Sequence, residues 1–356
     1  MPNAMTTRQR IGRILAHQEA DRVPVADIPW PSTLERWRRE GLPPNADWEE
    51  YVGADRIVNI TPDNSPRYPV QVLEETEEYR VFTSQWGVTL RQWSHAAGTP
   101  HREGFTVQTP DSWRLARARM TPDPDRIDWR RLQTHWRGWR EEGAWINGGL
   151  WFGFEVTYSH FVGVPLFLAM IEQPEWVREM ADTMVELSIA LLDMVWEAGY
   201  HFDGIHWPND MGYKDAQFMS LAMYRELFKP ADKRAADWAH ARGLPVMYHS
   251  CGDVNPFVAE WADLGIELLN PLEIKAGMEP LALKEQFGDR MAFWGGLDAR
   301  LYEEPEQMWA EIERVVPAMK ESGGYIAGTD HSVPDTVSLA LFREFVARCK
   351  TAGSYD

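Results

Sequence analysis

From about residue 175 to the C-terminus, short apolar segments alternate with amphipathic ones, and this alternation limits the folds open to the chain. The stretch EWVREMADTMVELSIALLDMVWEAG (175–199) has apolar residues at steps of three and four and ends in Gly199, which predicts a helix with a glycine stop. The later apolar stretches are FDGIHW, PVMY, IELLNP, AFWGG and YIAG, each separated from the next by a helical pattern. Strands that alternate with helices pair in parallel, and this many units favours a (β/α)₈ TIM barrel over a doubly wound sheet.

The first half of the chain is less regular. RVPVADI (22–28), ADRIVNI (54–60) and AWINGGL (144–150) each have the composition of a barrel strand. Between them, from about residue 65 to 120, YRVFTSQWGVTLRQW alternates as a hairpin does and predicts a β insertion. Because no repeat or flexible linker is evident, we expect one barrel domain over residues 1–356.

The composition limits which binding partners and which cellular compartment we expect for this protein. A formal charge of −18, from 54 acidic and 36 basic residues, argues against nucleic acid or an anionic membrane as partner. No run approaches the roughly 20 apolar residues that cross a bilayer, and the N-terminal stretch has no apolar signal core. Of the two cysteines, Cys349 lies on the apolar stripe of the last predicted helix and is expected in the core. An unpaired thiol at Cys251 suits a reducing compartment, so we expect a cytoplasmic protein that acts on a small molecule.

Polar side chains follow most of the predicted strands, where a barrel of this kind carries its active site. They are Asn209, Asp210, His249, Cys251, Asp253, Glu273, Asp298, Thr329, Asp330 and His331. The residues predicted to be catalytic are Asp210, Asp330 and His331. The residues predicted to bind substrate are His206, Trp207, Asn209 and Tyr248. Two alternatives stay open, since Asp210 also suits a turn or helix cap and His206 a hydrogen-bonded core position.

The stretch YHSCGDV (248–254) predicts a metal site. His249 and Cys251 occupy alternate positions of an extended segment, so both side chains point to one side. Glu273 stands at the corresponding end of the next predicted strand. Zinc accepts nitrogen, sulfur and carboxylate oxygen, and catalytic zinc keeps three protein ligands and one open position. We therefore predict zinc held by His249, Cys251 and Glu273, with Asp330 or His331 as a candidate fourth ligand; the alternative is a strand end with a small buried cysteine.

Several stretches resemble the uroporphyrinogen decarboxylase superfamily. They are LAHQEADRVPV, GIHWPNDMGY, MYRELFKPADKRAADWAHARGLPVMYHSCGDV, LGIELLNPLE, WGGLDARLYEEPEQMWAEI and GGYIAGTDHSVP. Together they span nearly the whole chain, and the likeness is strongest from about residue 200 to 340. The superfamily implies a (β/α)₈ barrel with its pocket at the C-terminal ends of the strands.

The superfamily divides into decarboxylases of the porphyrin precursor and zinc-dependent methyltransferases. The decarboxylases resemble one another in an Arg- and Gly-bearing loop after the first strand, whereas this chain has DIPWPSTLERWRREG there. The methyltransferase branch is similar at HSC, which implies His249 and Cys251 as zinc ligands. A related barrel, cobalamin-independent methionine synthase, implies a glutamate ligand at Glu273. Both groups carry a further cysteine near the last strand, where this chain has Thr329.

The resemblance implies a zinc-dependent methyltransferase that works with a corrinoid protein, a thiol or a methoxylated small molecule. A corrinoid would be carried by a separate partner protein. The alternative is a metal-independent decarboxylase or lyase on the same barrel, with Asp210 as the acid and with His249 and Cys251 as pocket residues. A non-enzymatic corrinoid or porphyrin binder is the third possibility, and it is the least favoured because ionisable side chains at strand ends cost stability unless they are used.

Overall fold

The strands of the computed structural model, which describes residues 4–94 and 99–355, form one parallel and two antiparallel sheets. Within these residues the strands are β1 (Ile57–Ile60), β2 (Val72–Glu75), β3 (Tyr79–Thr83), β4 (Val88–Trp93), β5 (His101–Phe105), β6 (Trp145–Gly149), β7 (Gly204–Pro208), β8 (Gly212–Tyr213), β9 (Ala216–Gln217), β10 (Val246–His249), β11 (Leu268–Asn270), β12 (Ala292–Trp294) and β13 (Tyr325–Ile326). The parallel sheet has the order β1-β6-β7-β10-β11-β12-β13. The predicted α/β class with parallel strand pairing is confirmed.

The segment 23–26 lies beside the last strand of the parallel sheet. The backbone N–H of Ala26 donates to Ala327 O over 3.0 Å, and Ala327 N–H donates to Pro24 O over 2.9 Å. On its other side, Val25 O accepts the N–H of Asp55, two residues before β1, over 2.7 Å. The sheet is therefore curled, and its closure into a complete eight-stranded barrel stays a prediction.

Helices precede, separate and follow the strands along the described chain. They are α1 (Thr7–Leu15), α2 (Pro31–Arg39), α3 (Trp48–Val52), α4 (Pro110–Arg117), α5 (Trp129–Glu142), α6 (Phe154–Val156), α7 (Leu166–Glu172), α8 (Pro174–Glu197), α9 (Leu221–Leu227), α10 (Lys229–His240), α11 (Asn255–Asp263), α12 (Pro280–Phe287), α13 (Pro305–Lys320) and α14 (Leu339–Ala352). Short 3₁₀ turns cover Pro124–Arg126, Ile274–Ala276 and Ala299–Glu303. Helix α8 begins at Pro174, which suits the first helical turn, and ends before Gly199 in the left-handed region.

A separate antiparallel sheet lies between β1 and β6 in the sequence. Its order is β2-β3-β4-β5, and β3 pairs with β4 over five residue pairs without a register shift. Strand β2 is exposed at every residue, whereas Val81 and Val88 of the inner strands are buried. This sheet occupies part of the range in which the β insertion is expected, and its status as an insertion in the fold stays a prediction.

The chain between β6 and α8 contains an uncommon helical turn. After α6, residues Thr157–Val162 form a π-helix, and Thr157 Oγ1 donates to Gly153 O over 2.7 Å. In the described ranges no single helix is long and apolar enough to cross a bilayer; Phe154–Val162 and Leu166–Glu172 meet that test only as a pair, with a 115° bend between them.

The inner face of the parallel sheet determines where the functional side chains point. Met247, Leu268 and Ala292 are paired in register across β10, β11 and β12 and are fully buried, as are Ile11 and Ile14 of α1, which belong to the same cluster. Because side chains alternate along a strand, His249 lies on the same face as Met247, one pleat nearer the C-terminal end. Along β10, the inner face therefore changes from an apolar side chain at Met247 to a polar one at His249.

Candidate metal centre at the carboxyl end of the parallel sheet

His249, the last residue of β10, and Cys251 lie side by side. The backbone N–H of the intervening Ser250 donates to Asn270 O of β11 over 2.8 Å, which keeps this stretch extended beyond the strand. The Cys251 sulfur lies 3.4 Å from His249 Nε2. The sequence predicted this pairing from alternate positions in an extended segment, and the structure brings the two atoms together.

Asp210 completes the cluster from the neighbouring strand. It follows β7 by two residues, and its Oδ1 lies 3.5 Å from His249 Nε2. The same oxygen accepts the backbone N–H of Cys251 over 2.9 Å. One ligand atom from each of Asp210, His249 and Cys251 lies within 4.8 Å of the others. A nitrogen, a sulfur and a carboxylate oxygen thus converge, which is a donor set that zinc accepts.

Two glycines make the turn after Cys251 possible. Gly252 has φ +83°, a conformation that side-chain-bearing residues rarely adopt. A Cβ built on Gly252 would overlap the backbone of Gly212, and one built on Gly212 would overlap the backbone of Cys251 and Gly252. The chain after β7 therefore packs directly against the chain after β10, which brings Asp210 to Cys251.

Burial and nearby negative charge shift the pKa values of the Cys251 thiol and the His249 imidazole. Burial raises the pKa of Cys251 well above its usual value, and the nearby carboxylates of Asp210 and Glu273 raise it further. Burial lowers the pKa of His249, which keeps the imidazole neutral near pH 7 and leaves a ring nitrogen free to bind a metal. The thiol is protonated without a cation, so metal binding here would release its proton.

Glu273 lies beside this cluster but is bonded elsewhere. Its Oε2 accepts the backbone N–H of Gly252 over 2.6 Å, and its Oε1 lies 3.2 Å from Lys275 Nζ. Among the described residues the close cluster consists of Asp210, His249 and Cys251, without Glu273. Its predicted role as a ligand stays a prediction that would require it to turn away from Gly252.

A cavity of about 260 Å³ opens beside the cluster. It is lined by Asp27, Ile28, Trp30, Thr99, Asp210, His249, Cys251, Asn270, Pro271, Trp294, Thr329, His331 and Ser332. Except for Thr99, these residues lie at or just after the ends of the parallel strands or of the segment 23–26 beside them, as predicted for a barrel of this type. The cavity and the cluster form one candidate site.

The two other residues predicted to be catalytic have different surroundings. Asp330 is 1% exposed, and its two oxygens accept the backbone N–H groups of Ile274 and Ala299 over 3.0 and 2.9 Å. It therefore holds the loops after β11 and β12 together. His331 lines the cavity with its ring centroid 6.2 Å from that of Trp30.

The four residues predicted to bind substrate are not among the described residues that line the cavity. Tyr248 and Trp207 are fully buried, and their rings pack 5.4 Å apart. They alternate with His249 and His206 along paired strands and so face the helices. Asn209 donates to Tyr248 Oη over 2.8 Å. His206 lies inside the sheet with its ring 6.4 Å from that of His249, and burial lowers its pKa to about 3.

Two carboxyl groups at the site were missed by sequence reasoning. Asp27 lies within the stretch predicted as the first strand, and Thr329 donates to its Oδ2 through both Oγ1 (2.7 Å) and the backbone N–H (2.9 Å). Glu155 follows β6, and its Oε2 accepts the N–H of Asp210 over 3.3 Å. Burial and the charge of Asp210 raise the pKa of Glu155 to about 8. Asp27 lies at the end of one predicted strand and Glu155 follows another, so the strand-end rule applied to the first half would have found them.

Comparison with known protein families agrees with this geometry. The family model described as Uroporphyrinogen decarboxylase (URO-D) matches residues 164–352, which is more than half of the chain. The chain belongs to the uroporphyrinogen decarboxylase family. The URO-D match includes β7, β10, β11, β12 and β13, and hence the strand ends that carry Asp210, His249 and Cys251. The resemblance noted in the sequence is thus confirmed at the level of the family.

A solved structure of similar length shares this fold. A methyltransferase from Methanosarcina mazei aligns over 98% of this chain and 99% of its own, with a TM-score of 0.65 and 19% sequence identity. A glycosylated endo-β-1,4-xylanase from Gloeophyllum trabeum aligns over 65% of this chain and 84% of its own, with a TM-score of 0.40 and 10% identity. No curated protein matches the sequence significantly. At these identities the likeness to the methyltransferase is one of fold.

Proposed function

We propose that this URO-D family member is a zinc-dependent methyltransferase that transfers a methyl group between a small molecule and either a thiol or a corrinoid protein. The observation that carries the proposal is the convergence of Asp210, His249 and Cys251 within 4.8 Å at a cavity. We further propose that the chain works as a single closed (β/α)₈ domain in the cytoplasm, where a reducing environment keeps the Cys251 thiol free.

The residues present fit a zinc ion by their chemistry. The imidazole of His249 is neutral, and a dication would compensate the charge of Asp210 and of a Cys251 thiolate together. Three protein ligands leave one position open, which is the pattern of catalytic rather than structural zinc. Glu273 would serve as a ligand in place of Asp210 or in addition to it if it left Gly252.

The protein groups have separate tasks in this proposal. Zinc, when bound, lowers the pKa of a coordinated thiol or polarises a leaving oxygen. Asp210 holds the loop of Cys251 in place through its backbone hydrogen bond, and Glu155 holds a proton beside Asp210. His331 faces the substrate across the cavity, and Asp330 fixes the loops from which the cavity is built.

The cavity wall argues against the decarboxylase alternative. A substrate with many carboxylates requires cationic partners, and the described lining residues include no arginine or lysine. The volume of about 260 Å³ is also below the roughly 300–1,000 Å³ of pockets that enclose drug-sized ligands. A corrinoid would therefore stay on a separate partner protein and approach from the rim.

Zinc content per chain tests the proposal directly. We expect near-stoichiometric zinc in wild-type protein purified without chelator, and its loss in Cys251→Ala. Cys349→Ala is the matched control, because Cys349 is fully buried in α14 and belongs to the hydrophobic core. A folded wild type that neither contains zinc nor binds added zinc would contradict the proposal and favour the metal-independent lyase.

A further inference from the structure

The cavity beside the cluster offers negative charge and hydrogen-bond acceptors with no basic counterpart. Asp27 and Asp210 line it, and among the described lining residues there is no arginine or lysine. The nearby Lys275 and Arg300 already pair with Glu273 and Asp298. A ligand that enters this cavity therefore meets carboxylates that are not neutralised by the wall.

With a metal bound at the cluster, the negative charge of the Asp27 carboxylate would still have no positive partner. Its hydrogen bonds come from neutral donors only: the N–H of Ile28 over 2.8 Å and the two groups of Thr329. No ion pair joins it to a basic side chain in the part of the chain that the structure describes. A dication with a neutral His249, an Asp210 carboxylate and a Cys251 thiolate sums to zero charge. The remaining charge at the wall is then the single negative charge of Asp27.

Asn270 provides a second, independent indication. Its side-chain Oδ1 is buried and makes no hydrogen bond of good geometry, although the side chain interacts with His249, and the residue is only 5% exposed and lines the cavity. A buried acceptor without a partner costs on the order of 1–3 kcal/mol. A ligand that brings a donor or a positive charge would remove that cost.

Two indoles form part of the wall. Trp294 is held in place because its Nε1 donates to Ala26 O over 2.9 Å, and Trp30 packs near His331. Both indoles line the cavity. Indole faces attract cations, and methylated ammonium groups, which bring little hydration with them, are well suited to such walls.

We propose, building on the methyltransferase function above, that the cavity binds a small methylated ammonium cation, with Asp27 as its counter-ion and Trp30 and Trp294 as its aromatic wall. With a thiolate as methyl acceptor, the sulfur forms a bond to the methyl carbon while the carbon–nitrogen bond breaks. The electron pair of that bond stays on nitrogen, so a cation and an anion give a neutral amine and a neutral thioether.

Binding of matched probes tests this inference without any turnover. The probes are choline, its uncharged carbon isostere 3,3-dimethylbutan-1-ol, and the anion 3,3-dimethylbutanoate, each titrated by calorimetry. We expect choline to bind at least about tenfold more tightly than the alcohol, and the anion most weakly. Equal affinity for choline and the alcohol, stronger binding of the anion, or binding of none of the three would overturn the proposal.

Two variants test which side chains cause the preference for choline over the alcohol. Asp27→Asn keeps the shape of the side chain and should reduce the preference for choline over the alcohol to less than about threefold. Trp30→Leu should weaken choline more than the alcohol, because it removes an aromatic face while keeping apolar contact. Glu197→Gln, an exposed carboxylate at the end of α8, is the control and should leave the preference unchanged. An unchanged preference in folded Asp27→Asn would also overturn the proposal.

The same titrations separate this inference from the metal proposal. They are run on zinc-loaded protein and on protein treated with chelator, and zinc content is measured for every sample. Selective choline binding by protein that cannot hold zinc would support the cation-binding cavity and contradict the methyltransferase. Stoichiometric zinc with no preference for choline would support the metal proposal and contradict the binding of a methylated ammonium cation.

Discussion

The Asp210 carboxylate accepts the backbone N–H of Cys251 over 2.9 Å, although the two residues are 41 positions apart in the sequence. This bond joins the end of β7 to the loop after β10 at the place where the candidate ligands meet. It makes Asp210 both a candidate ligand and the group that positions Cys251.

Zinc affinity should rise with pH across the neutral range. Because burial and the surrounding carboxylates raise the pKa of Cys251, zinc must displace a proton from the thiol, and each pH unit should strengthen binding about tenfold. The pKa of His249 is lowered, so the imidazole does not compete for a proton there. Chelator competition at several pH values measures the slope. Cys251→Ala should flatten it and Cys349→Ala should keep it; a flat wild-type slope would contradict the assignment of Cys251.

Two carboxylate variants test whether Asp210 or Glu273 is the third metal ligand. If Asp210 is the third ligand, Asp210→Asn should weaken zinc binding by about 10–100-fold, an order typical of weakened metal sites. Glu273→Gln should weaken it less, because a glutamine oxygen still accepts the N–H of Gly252. Competition titrations of both variants give the answer. The opposite order would show that Glu273 turns to the metal, as the sequence predicted.

The glycine after Cys251 should be irreplaceable for a steric reason. Gly252→Ala adds a Cβ that overlaps the Gly212 backbone, so we expect a lower melting temperature and at least about tenfold weaker zinc binding. Gly243→Ala is the control, because Gly243 has φ +68° but open space around its Cβ position. It should show only the modest cost of a left-handed alanine, about 1 kcal/mol. Equal effects of the two variants would mean that the packing against Gly212 does not matter.

A buried acid behind the site should make stability depend on pH. Asp232 is fully buried, and its Oδ2 accepts the hydroxyl of Tyr224 over 2.8 Å. Burial raises the pKa of Asp232 to about 7, so the folded protein holds this proton more tightly than the unfolded chain. The free energy of unfolding should therefore fall as pH rises from about 4 to about 7, by about 1.4 kcal/mol for each pKa unit of the difference.

Urea denaturation of wild type and Asp232→Asn at pH 5 and pH 8 checks this. The variant lacks the titrating group, so its free energy of unfolding should fall less between the two pH values than that of the wild type. Glu49 and Glu155, whose pKa values are also raised, are present in both proteins and cancel in the comparison. Parallel changes in the two proteins would show that Asp232 does not titrate in this range.

Much of the fold and part of the site follow from local patterns in the sequence. The spacing of apolar residues predicted the helices and parallel strands, since periodicity expresses which face of each element is buried. The same local rule placed His249 and Cys251 on one side of an extended segment, and the structure has the sulfur 3.4 Å from the ring nitrogen. Both results depend only on residues close together in the chain.

Only the tertiary structure decided which other side chains lie next to His249 and Cys251. Asp210 reaches the cluster because Gly212 and Gly252 let two loops touch, while Glu273 is held by the N–H of Gly252. Asp27 reaches the cavity from a segment more than 180 residues earlier in the chain than Asp210. The sequence by itself determined the elements, their parallel order and the His249–Cys251 pair, because these depend on local periodicity. Which carboxylate faces the ligands depends on close packing and on competition for hydrogen bonds between distant segments, and only the folded chain settles it.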